Sequence, residues 1–481
     1  MRTDNNHPDT PASDDTPIDL TTEPMAQEGD IVVESSLSDE AIESILTALD
    51  DGRDDDVRVF LEELSPADSA ELLSKIGTED RTFLIDRFSH VFTAEVFSWL
   101  APELARQTLE EMTPGRVAKL IASLETDDAV QLIEDLSPRV QKQILLKLSA
   151  DDREALEEGL TFPEDSAGRL MSQDVVSIPR FWTVGKTIDY MREAANELPE
   201  HFTVIFVIDP MYHVVGEIPL NRILCSRRSA KIEDLALDAI HPIRATTDQE
   251  DVARLFQREE LTSAPVVDEN NRIIGVITVD DVVGVITEEA QEDILRLGGV
   301  EGGSDLYKGL VPTAVSRFWW LAINLGTAFL ASSVVGLFEV TIEKIVALAV
   351  LMPIVAGMGG NAGTQTLTVA VRALAMKELS RTNMTRMIVK ETAVGFLNGT
   401  AFALITGGIA MWWFDSHLLG VVIGLAMVIN LIAAGLFGIL IPLVLEKMKI
   451  DPALASAVFL TTVTDCIGFL SFLGLAAWLM I

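Results

Sequence analysis

Cysteine is nearly absent from this chain: 481 residues include two, Cys225 and Cys466, far apart in different regions. That excludes a disulfide framework. Histidine is scarce too, six in all, and no His/Cys ligand cluster occurs, which argues against zinc or copper. Basic residues are outnumbered about two to one, with 36 Lys and Arg against 73 Asp and Glu and a formal net charge of −37. Such a field repels nucleic acid, so no nucleic-acid partner is expected, and it gathers cations. No apolar core follows Met1, which leads into Asp, Asn, Pro and Thr, so no signal peptide is expected.

The charge is unevenly spread. From Val311 onward nine Lys/Arg face eight Asp/Glu, so that portion is +1 and the first 310 residues carry −38. Length alone suggests about three domains. Residues 1–36 are acidic and rich in Pro and Thr, the composition of a disordered tail.

A repeat of period twelve runs from Leu64 to Leu160, with apolar residues at 64, 76, 88, 100, 112, 124, 136, 148 and 160. A small or polar residue and then often Pro follow, as in Leu64-Ser-Pro, Met112-Thr-Pro and Leu136-Ser-Pro. Ser/Thr at an N-cap and Pro at the first helical position are helix starts. The pattern predicts a stack of short helices, an α-helical solenoid over 37–165, with an acidic outer face that any soluble surface could carry.

A second repeat has a spacing of 59. Val207-Ile-Asp-Pro through Leu224 aligns with Val266-Val-Asp-Glu through Val283, each a hairpin with Asp209 or Asp268 opening the turn and amphipathic helices on either side. The pair, over 166–281 (166–229 and 230–281), resembles tandem CBS (α+β) domains, modules that often bind adenine nucleotides. The resemblance implies that a Thr and an Asp three residues later hold the ribose. The second copy has both, Thr278 and Asp281; the first has Pro219 and Arg222. ATP is therefore a candidate ligand of one cleft. Val282 to Leu297 continues as a helix within 282–310, carrying Glu288, Glu289, Glu292 and Asp293 along one flank. Like charges so placed repel unless a cation or basic surface shares them, although a solvated face would look the same.

Five apolar stretches fill 311–481, at about Val311–Phe338, Ile345–Val371, Met387–Phe414, Leu418–Leu445 and Pro452–Ile481. Each is long enough to cross a bilayer. The loop Arg372 to Lys390 holds five basic residues and Glu446 to Ile450 two. The positive-inside rule then places these loops and the N-terminal portion in the cytoplasm and the C-terminus outside, with the outer faces against membrane lipid. Glu391 should pair with Lys390 or Arg386.

The second stretch is unusual. Pro353-Ile-Val-Ala-Gly-Met-Gly-Gly-Asn-Ala-Gly-Thr-Gln-Thr366 puts four glycines, a proline, Asn361 and Gln365 at membrane depth. Small residues let helices approach closely, which explains the glycines. Asn361 and Gln365, four apart on one face, point further, to a polar path, because polar groups at that depth must be buried in protein or line water. The fifth stretch carries Asp465 mid-span, in Leu460-Thr-Thr-Val-Thr-Asp-Cys-Ile-Gly468. An ionisable group there is a functional hypothesis by default. No basic residue in the middle of any span could neutralise it, so its partner is a proton or a cation.

Taken together, the solenoid, the CBS pair, the acidic linking helix, the Pro353–Gln365 motif and Asp451-Pro-Ala-Leu…Asp465 resemble MgtE-type magnesium channels over nearly the whole chain after residue 40. The fold class implied is a mainly α membrane protein with a cytosolic α-helical solenoid, tandem CBS domains, a linking plug helix and five transmembrane helices. The resemblance implies a homodimer in the inner membrane that admits Mg²⁺, with Co²⁺ among other candidate ions, and no enzymatic activity. Its pore would be lined by Asp465, Thr461, Thr462, Asn361 and Gln365. Cytosolic Mg²⁺ would close it by bridging solenoid acids with Asp248, Asp280, Asp281, Glu288, Glu289, Glu292 and Asp293. Ala457 and Gly284 depart from the family's pattern, where Asn and an acid are expected. A proton-coupled divalent cation carrier is the alternative. Mg²⁺ usually keeps much of its water shell, so a wide path lined by oxygen acceptors suits it.

Overall fold

The computed structural model describes residues 37–195, 198–199, 201–237, 240–300, 306–379 and 381–481; the acidic tail 1–36 lies outside them. The described residues form two compact units, one up to Trp99 and the other from Leu100 to Ile481. In the first, short helices follow the twelve-residue repeat: Asp54–Glu63, Pro66–Lys75 and Thr78–Arg87. Ser65 caps the second of these by accepting from Asp68 N at 3.1 Å. Arg81 is buried and donates to Leu73 O and Ile76 O, at 2.9 and 3.1 Å, satisfying carbonyls that the preceding helix leaves open at its end.

The second unit continues the repeat with Pro102–Glu111, Pro114–Ile121, Thr126–Glu134, Pro138–Leu145 and Ala150–Gly159. Proline opens three of the five, where its missing N–H is no loss.

Two three-stranded sheets follow, β1 (Ser177–Pro179), β2 (Val204–Ile208) and β3 (Val214–Pro219), then β4 (Ile243–Arg244), β5 (Ser263–Val267) and β6 (Ile273–Thr278). Each has a parallel pair and an antiparallel hairpin, in the orders β1-β2-β3 and β4-β5-β6. The 59-residue spacing is kept in register: Val204 pairs with Pro219 and Ser263 with Thr278, and the irregularities at Val207/Ile208 and Val266/Val267 coincide. The turns match too. Asp209 accepts from Met211 N and His213 N, and Asp268 from Asn270 N and Arg272 N, all within 2.9 Å.

One helix, Val279–Leu297, leaves β6 directly. Beyond it, among the described residues, five helices are long and apolar enough to cross a membrane: Leu310–Gly336, Ala347–Ala375, Asn383–Phe414, His417–Lys447 and Ser456–Met480. A short helix, Glu339–Lys344, fills what reads in sequence as a loop between the first two. The fourth is the most apolar, with a mean hydropathy of 2.5; the second, third and fifth pack against it, and the first packs on the fifth. The third lies against it at backbone distance: a Cβ on Gly395 would come within 2.3 Å of Leu431 O, and one on Gly435 within 2.5 Å of Glu391 O. Such contacts let membrane helices associate without a hydrophobic drive. Glu391 has its expected neighbour in Lys390, 3.8 Å away.

Candidate functional site

The second span, Ala347–Ala375, contains Pro353 within its helix. Its buried side carries Leu351, Val355, Gly359, Gly363, Thr366 and Leu367. Gly363 lies against Leu460 of the fifth span, with a Cβ position 3.1 Å from that side chain. The other side is exposed on the single chain, and along it run Asn361, Thr364, Gln365 and Thr368. These positions recur every three or four residues, so they form one stripe.

On the fifth span Thr461 is exposed, Thr462 and Asp465 are half-buried, and Thr464 is buried. The threonine hydroxyls donate into their own helix: Thr461 to Ala457 O at 2.9 Å, Thr462 to Val458 O at 2.7 Å, Thr364 to Gly360 O and Thr368 to Thr364 O at 3.0 Å. A hydroxyl has one proton and two lone pairs. With the proton used in the helix, each side-chain oxygen meets a passing species as an acceptor. A hydrated cation presents the hydrogens of its water shell, so a stripe of acceptors with a carboxylate on the neighbouring span suits such an ion.

The acids of the linking helix fall into three groups. At its start Thr278 Oγ1 and Thr278 N both donate to Asp281 Oδ2, at 2.6 and 3.1 Å. Asp280 and Asp281 face Glu125, which also faces Asp174, and Asp281 faces Asp127. Burial, and then the charges of Asp281 and Asp128, push Asp127 up to about 8. Midway, Glu288 faces Asp165, Glu292 and Asp135, and burial raises it. Burial also pushes Glu289 up to about 7, against a 2.5 Å hydrogen bond from Gln249 Nε2. At the membrane end Arg296 pairs with Glu292 and, at 2.8 Å, with Asp451, the N-cap of the fifth-span helix. Asp293 is raised by burial, and then by Asp451. Asp248 stands apart as the cap of Gln249–Glu259, accepting from Glu250 N at 2.9 Å. Among the described residues no group of three or more His, Cys, Asp or Glu converges tightly enough to hold a metal. The arrangement is a row of facing carboxylates, several short of neutralising partners.

Sequence comparison places these features in a family. The divalent cation transporter family MgtE matches residues 352–475, which contain the stripe and Asp465; the MgtE intracellular N domain matches 64–165 and the CBS domain 232–288. A magnesium transporter MgtE of Bacillus subtilis is 30% identical over 452 residues, covering 92% of this chain and 98% of that protein. The chain belongs to the MgtE family. A second MgtE magnesium transporter, from Thermus thermophilus, is 32% identical over 443 residues, covering 91% of this chain and 98% of its own length. The crystal structure of the cytosolic domain of the Mg²⁺ channel MgtE in complex with ATP is 29% identical, with a TM-score of 0.47, covering 51% of this chain and 99% of that one.

In this MgtE chain, among the described residues, two polar contacts tie the linking helix and the CBS pair to the membrane helices. One is the Arg296–Asp451 pair. The other joins the helix Gln249–Glu259 to the end of the second span: Arg254 Nη1 donates to Ala375 O at 2.8 Å, and Asp251 lies between Arg254 and Lys377. Lys377 first, and then Arg254, hold Asp251 below the usual carboxylate range. Leu297, at the tip of the linking helix, packs on a cluster of Leu367, Val371, Ala453 and Leu460 drawn from the second and fifth spans. Gly299, with φ +72°, lies against Trp320 of the first span, where a Cβ would meet the indole Nε1 at 1.9 Å. Sequence reading misses Arg254 and Lys377 as a pair, because 123 positions separate them. It also passes over Asn430, a lone amide in an otherwise apolar span.

Proposed function

We propose that this chain carries Mg²⁺ across the inner membrane into the cytoplasm as one half of a homodimer, and that cytosolic Mg²⁺ closes it. The carrying observation is the stripe Asn361, Thr364, Gln365 and Thr368, exposed on a membrane span that packs on the span carrying Asp465. Lipid does not tolerate such a face, so a second copy set against it would enclose a polar path. The side-chain oxygens would contact the ion's water shell, and Asp465 from each copy would supply charge without stripping the shell. Cobalt, similar in size and hydration, is a candidate second cargo.

The linking helix would act as the plug, with Leu297 seated between the second and fifth spans. Without divalent ions the facing carboxylates repel; with them, cation bridges draw the solenoid, CBS pair and plug together. The two fastenings support a cytoplasmic N-terminal portion, since they put the end of the second span and the start of the fifth on the CBS side. ATP at Thr278 and Asp281 belongs to the same proposal. Because Asp281 faces Asp127 in this arrangement, nucleotide and solenoid would compete for it.

The test is Mg²⁺ uptake into liposomes holding the full chain, with the proton gradient present and collapsed. Uptake that persists after collapse and is lost in Asp465→Asn supports the channel reading. Uptake that stops with the gradient favours coupled transport instead.

A further inference from the structure

Asn430 sits in the most apolar span and is fully buried. Its Nδ2 donates to Val355 O of the second span at 2.8 Å, while its Oδ1 has no hydrogen-bond partner among the described residues. A leucine would fill similar space without an orphan acceptor, so burying the amide is unfavourable unless it holds something.

What it touches shows what that is. A Cβ on Gly359 would stand 2.2 Å from Asn430 Nδ2, and one on Gly468 would stand 2.8 Å from the same nitrogen. The second and fifth spans thus both press bare backbone onto one amide. Gly359 lies two residues before Asn361 and on the opposite side of the helix. Gly468 lies one turn beyond Asp465.

We infer that Asn430 is a positioning residue for the ion path, an amide spacer that fixes the separation of the second and fifth spans and so the width between the Asn361–Gln365 face and Asp465. It works through Gly359, on the side of the second span away from Asn361, and through Gly468 of the fifth span. This rests on the path reading above and adds a determinant of selectivity to it: a path that holds a hydrated ion at outer-shell distance discriminates by width, so a change in spacing changes which divalent ion passes.

The experiment uses the full chain in liposomes, with Mg²⁺ and Ca²⁺ uptake measured separately and assembly checked by size-exclusion chromatography. Asn430→Leu is expected to shift the Mg²⁺ to Ca²⁺ flux ratio about tenfold. Gly359→Ala, which drives a methyl into the amide, is expected to lose at least about tenfold in Mg²⁺ flux. Gly359→Ala combined with Asn430→Ala is expected to recover most of that loss, a coupling that unconnected sites do not show. This reciprocal rescue decides the matter even where Asn430→Leu fails to assemble. A wild-type flux ratio in an assembled Asn430→Leu, or a double variant no better than Gly359→Ala, overturns the inference. Asp465→Asn separates the two levels. If it abolishes flux while the Asn430 arms match wild type, only the spacer fails; if it transports normally, the path reading fails and the spacer with it.

Discussion

On the proposed function, Arg254→Ala should make the channel harder to close. The guanidinium donates to Ala375 O, a carbonyl at the C-terminal end of the second span, and its side chain is three-quarters buried. A hydrogen bond from a charged donor contributes about 1.5–3 kcal/mol, and a cation at a helix C-terminus about 0.3–1 kcal/mol. The neighbouring Asp251–Lys377 pair is more exposed and adds about 0–1 kcal/mol. Taking about 2 kcal/mol for Arg254, the ratio of closed to open channels falls about 30-fold. If on the order of four bridging ions close the channel together, the Mg²⁺ concentration for half-closure rises by the fourth root of that factor, about twofold. Patch-clamp open probability against cytosolic Mg²⁺ measures it. Arg254→Lys keeps the charge but not the fork and should give a smaller shift in the same direction. An Arg254→Ala curve that overlays the wild type, or moves to lower Mg²⁺, would refute the fastening.

Acid should partly replace Mg²⁺. Packing raises Asp127 to about 8 and Glu289 to about 7, so the packed arrangement favours the protonated acids and is weakened as pH rises through that range. In Mg²⁺-free buffer, hydrogen exchange in Thr126–Glu134, corrected for intrinsic rates, should slow between pH 8 and pH 6; unchanged protection would count against the facing carboxylates as the sensor. Asp465→Asn keeps the shape and removes the charge, and should abolish Mg²⁺ uptake while the protein still assembles, read by a fluorescent dye in liposomes. Neutralising Glu289, Glu292 and Asp293 together should leave the channel open at millimolar Mg²⁺; closure at low Mg²⁺ instead would show that repulsion outweighs bridging. Calorimetry with ATP should give binding that Asp281→Ala removes, and no heat at millimolar ATP would exclude the Thr278–Asp281 cleft.

The sequence is most legible where chemistry repeats. Ser65 and the proline-led helices follow from capping rules, and the two hairpins from a spacing that the strands keep residue for residue. The five spans follow from run length alone. The polar stripe is legible for a different reason: Asn361 and Gln365 violate the bilayer's rule, and a violation is easier to see than conformity. What stays hidden depends on contact across long stretches of chain. Arg254 reads as an ordinary helix-surface base until Ala375 is beside it. Asn430 reads as one weak polar residue until Gly359 and Gly468 close on it. The acids of the linking helix read as one flank, yet the structure divides them, because Arg296 takes Glu292 and Asp451 while Glu288 and Glu289 turn to different neighbours.

Pro353 has a mechanical consequence. It withholds one N–H from the helix ladder, so the second span is weakest there and bends there first. Ala375, where Arg254 pulls, is 22 residues along, about 33 Å at a helical rise of about 1.5 Å, and Asn361 is 8 residues along, about 12 Å. The span is then a lever pivoted at Pro353 with a ratio of about three to one. A CBS pair that shifts Ala375 by about 3 Å moves Asn361 by about 1 Å, enough to matter to a fully hydrated ion and small enough for packed helices to absorb. On the proposed function, a coarse motion in the cytosol would thereby be geared down to a fine adjustment within the bilayer.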